Sequence, residues 1–375
     1  MKISILQENL SKGLNTISRF ITTKAQLPIL SNVLLKTDQG RLKLSATNLE
    51  TGINFWLGAK IEKEGEVCLP AKVLTEYVSS LPLQKVDLEL KENLLKVNCE
   101  GYQASFLTSP TVEFPVIPSL EKKPEAVFNM KDLSSAISQV TFAATQDEGR
   151  PVLTGVLFRI KKESLFLAAT DGYRLSVKEI KGLKDMAKLL KENEELLIPA
   201  RALIEVGKIL NEGEEKNELG LTITPKSNQV IFSTPEVEII SRLIEGKFPD
   251  FEKIIPTKGK TSLTIEGESL LGAVRTASIF AREAANIIKL EVKGEKLIIS
   301  SRSPQLGENK IELEVKVEGE GGSIAFNSRY LMDFLNSVKA NLISFQMNDD
   351  LSPGVFSPVE DKSFLHIIMP IRLQE

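Results

Sequence analysis

The chain has 375 residues, enough for about two to four domains at roughly 100–200 residues each. Hydrophobic residues make up 42% and charged residues 26%, which excludes a disordered or fibrous protein. The net charge of −3 disfavours a conventional nucleic-acid binder, which usually has a basic excess. No apolar run approaches the roughly 18 residues of a membrane span, and the start MKISILQENLSK is too polar for a signal peptide. We therefore expect a cytoplasmic protein that makes no membrane contact.

Few residues are available for catalysis or metal binding. Cys68 and Cys99 are the only cysteines, and His366 is the only histidine. One histidine and two cysteines do not make a common zinc site, and a Ser-His-Asp triad would depend on His366 alone. Free cysteines are commonly buried, and a histidine inside the apolar stretch SFLHIIMPI is typically buried and hydrogen-bonded. The sequence therefore predicts no catalytic residue, no metal and no cofactor.

A helix with one apolar stripe recurs near the start of each third of the chain, with apolar residues three, four or seven positions apart. The stripes consist of Leu10, Leu14 and Ile17, then Leu133, Ala136, Ile137 and Val140, then Leu270, Ala273, Val274 and Ala277. Asn9, Asp132 and Ser269 stand directly before the stripes. Because their side-chain oxygens can accept a hydrogen bond from a first-turn amide, each is predicted to be the N-cap of its helix.

Segments rich in β-branched and aliphatic residues follow these helices and predict buried strands. The first strands are expected at 29–37 and 152–160, and the next ones at 41–48, 164–171 and 296–303. Later strands are expected at 86–90 and 94–99, at 219–224 and 229–234, and at 342–347 and 363–371. At the end of the strand expected at 164–171, the dipeptide Asp171-Gly172 predicts a turn.

A second helix follows a short strand in each third. The stretches VCLPAKVLTEYV, LLIPARALIEVG and IAFNSRYLMDFL begin at residues 67, 196 and 324, so they lie 129 and 128 residues apart. They align Lys72, Arg201 and Arg329 in the first turn of the helix. The periodicity leaves two interpretations open: three solvated surface cations, or one positive surface shared by three repeated helices.

The repeat predicts three modules, at residues 1–122, 123–255 and 256–375, joined by Pro- and Lys-rich linkers around 115–126 and 249–262. Each module is predicted to pack two amphipathic helices against antiparallel sheet, an α+β arrangement.

Five motifs in matching order and spacing resemble the bacterial DNA polymerase III beta subunit, the replicative sliding clamp, across essentially the whole chain. They are LPIL (27–30), ATDGYRL (169–175), FPDFEKIIP (248–256), FNSRYLMDFL (326–335) and MPIRL (369–373). The resemblance implies clamp modules that dimerise head to tail into a six-module ring around duplex DNA, independently of DNA sequence. It implies a non-catalytic processivity subunit that tethers the replicative polymerase and binds the clamp loader and other proteins with a clamp-binding motif.

Two other interpretations remain at this stage. A three-repeat scaffold could bind proteins without encircling DNA. An enzyme using paired carboxylates near Asp171 has little support, because the other residues that such chemistry needs are missing.

The resemblance also assigns residues to sites. It places Lys24, Lys72, Arg201 and Arg329 near DNA, and Phe106, Ile279 and Phe280 at the dimer interface. A client-peptide pocket between the second and third modules would be lined by Leu153, Thr170, Gly172, Tyr173, Arg174, Leu175, Pro249, Met369, Pro370, Ile371, Arg372 and Leu373. Tyr173 replaces a common His of the family, Ile371 replaces a frequent Met, and Gln374 and Glu375 extend past the usual end.

Overall fold

The computed structural model describes residues 1–21, 27–120, 123–161, 163–182, 195–212, 218–224, 228–256 and 259–373. The helices in these ranges come in pairs, one pair for each predicted module. They are α1 (Gln7–Ser18), α2 (Ala71–Ser80), α3 (Met130–Val140), α4 (Ala200–Glu212), α5 (Gly267–Ala281) and α6 (Ser328–Val338).

The first compact unit comprises Met1–Lys131 and Lys208–Leu243 and contains two antiparallel sheets. The five-stranded sheet has the order β5-β1-β7-β8-β9, with β1 (Lys2–Leu6), β5 (Lys60–Lys63), β7 (Lys85–Lys91), β8 (Leu94–Cys99) and β9 (Tyr102–Leu107). The eight-stranded sheet has the order β10-β15-β16-β17-β4-β3-β2-β6. Its strands are β2 (Asn32–Asp38), β3 (Arg41–Thr47), β4 (Thr51–Gly58), β6 (Glu66–Pro70), β10 (Ala126–Asn129), β15 (Glu218–Thr224), β16 (Gln229–Ser233) and β17 (Val237–Arg242).

The second compact unit comprises Asp132–Gly207 and Ile244–Glu375. Its nine-stranded sheet has the order β14-β11-β12-β13-β26-β25-β24-β18-β22. The strands are β11 (Gly155–Lys161), β12 (Ser164–Thr170), β13 (Arg174–Lys181), β14 (Glu195–Pro199), β18 (Thr261–Glu266), β22 (Lys316–Glu318), β24 (Leu342–Met347), β25 (Gly354–Pro358) and β26 (Phe364–Ile368). A four-stranded sheet, β21-β20-β19-β23, contains β19 (Ile287–Lys293), β20 (Lys296–Ser303), β21 (Gly307–Glu314) and β23 (Gly322–Asn327).

Neighbouring modules of the repeat share sheets. Strand β17 pairs with β4 so that Ile240 lies opposite Gly52, and β13 pairs with β26 so that Leu175 lies opposite Ile367. The repeat therefore defines the order of the elements, while the long sheets join strands of consecutive modules.

The three predicted apolar stripes are buried, but the three predicted N-caps are wrong. Helices α1, α3 and α5 begin two residues earlier, so that Asn9, Asp132 and Ser269 all occupy the third helical position. Strands β1 and β18 run directly into their helices, and extended Leu6 and Glu266 occupy the cap position. The first amides of α1 and α5 donate to the backbone carbonyls of Gln84 (2.9 Å) and Asn341 (2.7 Å) instead of to a local side chain.

Two predicted strands begin later than expected. Residues Pro28–Ser31 and Pro151–Thr154 form single 3-10 turns, and the strands β2 and β11 follow them. Proline at the first position of each turn fixes a φ angle suited to a turn and lacks the amide that a sheet ladder needs.

The first linker is held by a buried carboxylate. Glu238 on β17 accepts hydrogen bonds from Asn54 Nδ2 (3.2 Å), Ser119 Oγ (2.7 Å) and the backbone N–H of Leu120 (3.1 Å). Asn54 also donates to the carbonyl of Pro118 at 3.2 Å. Polar contacts therefore set the position of this linker on strands β4 and β17.

The second linker is held by aromatic packing instead. Phe248 and Phe251 are buried in one apolar cluster with Leu175, Val177 and Ile367, and their ring centroids are 6.2 Å apart. In the registers of the two sheets, Val177 corresponds to Asn54 of the first repeat. The two linkers thus use opposite chemistry at corresponding strand positions.

Candidate functional site

Two short side chains shape the loop that joins β12 to β13. The Thr170 hydroxyl accepts from the N–H of Gly172 (3.0 Å) and donates to the carbonyl of Arg174 (2.6 Å). Asp171 Oδ1 accepts from the N–H groups of Tyr173 (2.8 Å) and Arg174 (3.0 Å). Gly172 has a φ of +94°, a conformation that glycine adopts without strain. The predicted turn is confirmed, and its backbone is fixed by local hydrogen bonds.

Arg174 points away from solvent, with 10% of its side chain exposed. Its Nε lies 3.1 Å from Asp171 Oδ2, and its Nη1 lies 2.6 Å from Asp333 Oδ2 on helix α6. The guanidinium also lies over the ring of Tyr330, 4.5 Å from the centroid, and 5.5 Å from that of Phe142. Stacking and charge pairing both suit the planar arginine head. Arg174 therefore joins the loop to helix α6.

The segment after β26 lies beside this loop. The N–H of Met369 donates to the carbonyl of Tyr173 at 2.8 Å, and the N–H of Ile371 donates to the carbonyl of Ala325 at 2.8 Å. Tyr173, Met369 and Leu373 are exposed large apolar side chains. Exposed apolar surface carried by extended backbone is suited to binding an extended peptide.

The predicted pocket residues divide into exposed and internal positions. Gly172, Tyr173, Pro249, Met369, Arg372 and Leu373 are exposed, and Leu153, Arg174, Pro370 and Ile371 are half-buried. Leu175 is a core residue packed against Phe248, and the Thr170 hydroxyl is used within the loop. The structure brings the loop and the segment 369–371 together by hydrogen bonds.

Three residues of this arrangement were not predicted from the sequence: Phe142, Tyr330 and Asp333. Tyr330 and Asp333 lie inside the motif FNSRYLMDFL, and Asp333 shares a repeat column with Glu76 and Glu205. Their position in that motif was the available signal, but the repeat alone does not show that Asp333 pairs with an arginine.

His366 is fully buried on β26, as predicted, and hydrogen-bonds to a neighbouring strand. Its Nδ1 lies 2.7 Å from the Ser176 hydroxyl, and its ring stacks on Phe334 with centroids 5.2 Å apart. Burial, with a further contribution from the positive charge of Arg174, lowers the pKa of His366 well below its usual value. The neutral ring is thus part of the core.

The predicted basic column lies at the second residue of three helices. Lys72, Arg201 and Arg329 are all exposed at the starts of α2, α4 and α6. Lys72 Nζ is 4.0 Å from Glu76 Oε1, and Arg201 Nη1 is 3.9 Å from Glu148 Oε1. The N–H of Arg329 donates to the side chain of its N-cap residue, Asn327. The fourth predicted DNA-facing residue, Lys24, lies outside the described residues.

The six described helices carry no excess positive charge. Their sequences contain seven Lys or Arg residues and seven Asp or Glu residues. A positive surface must therefore arise from where the cations lie, and not from the net charge of the helices.

The predicted interface residues lie at the edges of elements. Phe106 is half-buried on β9, the last strand of the five-stranded sheet, and meets Tyr77 edge-on with ring centroids 5.5 Å apart. Leu107, which the prediction omitted, is 70% exposed on the same strand. Ile279 is exposed and Phe280 half-buried near the end of α5. An edge strand with exposed apolar side chains is prone to pair with another chain.

The cysteines are buried as predicted, and burial raises the pKa of the Cys68 thiol to about 11. Within the described ranges, no three His, Cys, Asp or Glu side chains are grouped closely enough to hold a metal ion. None of the described helices has the length and apolar character needed to cross a membrane.

Three family models match consecutive parts of the chain. The N-terminal domain of the DNA polymerase III beta subunit matches residues 1–118, its central domain residues 128–250, and its C-terminal domain residues 252–372. The chain belongs to the DNA polymerase III beta subunit family. The same family was inferred from the five sequence motifs, and that prediction is confirmed.

Individual members of the family match this chain over the whole length of both proteins. The beta sliding clamp of Synechocystis sp. is 30% identical over 398 residues, which cover 100% of both chains. The solved DNA polymerase III beta subunit of Thermotoga maritima has a TM-score of 0.90 at 28% identity, again covering 100% of both chains. The solved sliding clamp of Bacillus subtilis has a TM-score of 0.91 at 26% identity, with 100% coverage of both.

These matches confirm the predicted α+β fold of three tandem clamp domains and the sliding-clamp function. The family is a processivity subunit of DNA polymerase III and is not itself catalytic, as predicted. Its partners include DNA, a DNA polymerase and a second copy of the chain.

Proposed function

We propose that two copies of this chain join head to tail into a closed ring of six modules that slides on duplex DNA. The three-fold repeat of the helix pair carries this proposal, because two copies supply the six similar modules of a ring. We place the modules at residues 1–122, 123–255 and 256–375. The matches to three successive clamp domains, at 1–118, 128–250 and 252–372, support these boundaries.

Lys72, Arg201 and Arg329 are proposed to face the DNA, together with Lys24. The exposure and the common helical position of Lys72, Arg201 and Arg329 support this assignment for those three residues. Because the helices as a whole are electrically balanced, phosphate contacts are few, and the closed ring retains the DNA instead. Such a protein is expected to bind DNA without sequence preference, since backbone contacts carry no direct sequence information.

The surface formed by the loop 170–174 and the segment 369–373, the client groove, is proposed to bind an extended peptide with Leu or Phe anchors. Exposed Tyr173, Met369 and Leu373 supply its apolar surface. The clamp loader, the polymerase and other proteins with a clamp-binding motif would compete for it. Leu153 and Pro249 are proposed to extend this surface, whereas Leu175, assigned to the pocket from the sequence, is buried and supports it from the core.

The proposed dimer interface pairs the first module of one copy with the third module of the other. It contains Phe106, Ile279 and Phe280, and the exposed Leu107 extends its apolar area. The edge position of β9 supports this assignment, because the strand's outer side is open to a partner.

Sedimentation equilibrium is the first test of the ring. Twice the chain mass of 41.5 kDa gives about 83 kDa for the dimer. A monomer at every concentration would leave three modules and an open arc, which contradicts a ring that closes without help.

DNA topology provides the second test. Clamps loaded on nicked circular DNA are expected to remain bound in salt that strips a conventional binder, whose log affinity falls with a slope of about −0.9 per phosphate contact. Cutting the circle should release them. Retention that does not change when the circle is cut would instead favour a protein-binding scaffold or a direct DNA binder.

A further inference from the structure

The loop between β3 and β4 of the first repeat makes the same turn as the loop between β12 and β13. Thr47 Oγ1 accepts from the N–H of Leu49 (3.0 Å) and donates to the carbonyl of Thr51 (2.8 Å). Asn48 Oδ1 accepts from the N–H groups of Glu50 (3.0 Å) and Thr51 (2.7 Å). Every one of these bonds has a counterpart in the second loop.

The two loops differ in charge at three positions. Glu50 of the first loop corresponds to neutral Tyr173 of the second, and the other two differences concern the residues of the ion triad. Where the first loop has neutral Asn48, the second has Asp171, and where the first has Thr51, the second has Arg174. An amide oxygen is sufficient for the turn, as Asn48 shows, so the turn does not require the charge of Asp171. The second oxygen of that carboxylate, Oδ2, binds the Arg174 guanidinium instead.

The two repeats do not differ in the backbone hydrogen bond that joins the loop to the segment after the last strand of the sheet. The N–H of Arg242 donates to the carbonyl of Glu50 at 2.9 Å, just as Met369 donates to Tyr173 in the second unit. The first repeat makes this bond without an arginine at position 51. Arg174 and its two carboxylates are therefore not needed for this backbone bond.

The Arg174 guanidinium contacts helix α6 at two residues. Asp333 belongs to helix α6, 159 residues from Arg174 in sequence, and its Oδ2 receives the Nη1–H at 2.6 Å. One turn earlier on α6, the ring of Tyr330 lies against the same guanidinium. The ion triad Asp171–Arg174–Asp333 thus fixes the distance between the loop and the helix face that carries Tyr330.

We propose that Asp171 and Asp333 are positioning residues of the client groove, which hold Arg174 so that the loop 170–174 and the Tyr330 face of α6 keep a fixed separation. The inference rests on the proposed client groove. It explains why the corresponding loop of the first repeat has neither charge. A groove held at fixed width has less conformational freedom to lose when a peptide binds.

The test uses two isosteric variants, Asp171→Asn and Asp333→Asn. Asp171→Asn keeps the turn, because asparagine makes the same backbone bonds at position 48. Asn48→Asp is the matched control, since it adds a carboxylate to the first loop, where the position that corresponds to Arg174 is Thr51. Asp333→Glu retains the charge at the second site.

Two measurements are made on the full-length protein. The ¹⁵N–¹H signal of Arg174 Nε, assigned by its loss in Arg174→Lys, reports the triad directly. Fluorescence anisotropy of a labelled synthetic peptide ending in Leu-Phe reports the groove. We expect Asp171→Asn, which removes the acceptor of the Nε–H, to lose the protection of that hydrogen from exchange. Both asparagine variants should bind the peptide roughly five- to tenfold more weakly, less than the loss of a main anchor. Asp333→Glu should restore much of the affinity, and Asn48→Asp should change neither reading.

The outcomes separate the two proposals. If the wild-type protein fails to bind the peptide, the client groove is wrong and the positioning role falls with it. If the wild type binds, Asp171→Asn loses the Nε–H protection and both variants bind the peptide as well as the wild type, the groove stands and the positioning role is overturned. Should Asp333→Asn fail to fold, Asp171→Asn decides, because its backbone bonds are retained.

Discussion

Replacing Glu238 with alanine should detach the first linker from the sheet below it. The carboxylate accepts three hydrogen bonds, from Asn54, Ser119 and Leu120. Of the three donors, only Asn54 is fully buried, while Ser119 is exposed and Leu120 half-buried. After the substitution, water can therefore reach the linker donors but not the amide of Asn54.

The structure gives the size of the effect. A stranded buried donor costs about 1–3 kcal/mol, and a lost bond that water can replace costs about 0.5–1 kcal/mol. With one stranded donor and two bonds that water can replace, we expect Glu238→Ala to lower the free energy of unfolding of the first unit by about 2–5 kcal/mol. Glu238 lies opposite Asn54, and Leu365 on β26 lies opposite Val177, so the two positions correspond. Glu238→Leu should also destabilise the first unit, because the same donors remain.

Trp56, the only tryptophan, makes the measurement specific. It is almost fully buried on β4, and its backbone N–H donates to the carbonyl of Glu236, next to β17, at 2.8 Å. Urea unfolding followed by its fluorescence reports this sheet. Glu218→Ala, which removes an exposed carboxylate on β15 of the same sheet, is the control and should change the free energy by less than about 0.5 kcal/mol. A Glu238→Ala effect as small as that of the control would refute the reasoning.

Three further predictions concern the core and the two surfaces. Burial lowers the pKa of His366, so the unfolded chain takes up a proton below about pH 6.5 that the folded chain does not, and stability should fall by about 1.4 kcal/mol per pH unit as acid is added. His366→Gln should remove that slope in urea titrations at pH 7.5, 6 and 5; an unchanged slope would assign it to other groups. Met369→Ala combined with Leu373→Ala should weaken a client peptide by more than about 1 kcal/mol in anisotropy titrations, and unchanged affinity would argue against the groove. Lys72→Glu with Arg201→Glu should reduce clamp loading or DNA-stimulated synthesis, with dimer formation preserved; normal activity would show that these cations do not face DNA.

The local sequence determined the order and type of the elements. Apolar residues at helical spacing marked α1, α3 and α5, because one face of each helix must be buried wherever it packs. The column containing Lys72 and Arg201 marked α2 and α4. Buried positions for Cys68 and His366 also followed from their apolar neighbours.

Tertiary structure decided where helices begin and what the charged residues do. The three polar residues chosen as N-caps lie within the first turns of their helices. Backbone carbonyls more than 70 residues away satisfy the first amides of α1 and α5 instead. Local sequence contains no sign of such a partner. Pro28 and Pro151 do indicate, from the sequence, that strands β2 and β11 begin after a turn.

In the candidate site, too, some features follow from local sequence and others only from the tertiary structure. The turn at Asp171-Gly172 is local, and its polar residues predicted it correctly. The partner of Arg174 is not local, because Asp333 comes from a helix of the next module, and Glu238 likewise meets a linker 118 residues earlier in the chain. Periodicity and capping patterns are set by interactions within a few residues, whereas the choice of an ionic partner depends on which strands and helices the folded sheets bring side by side.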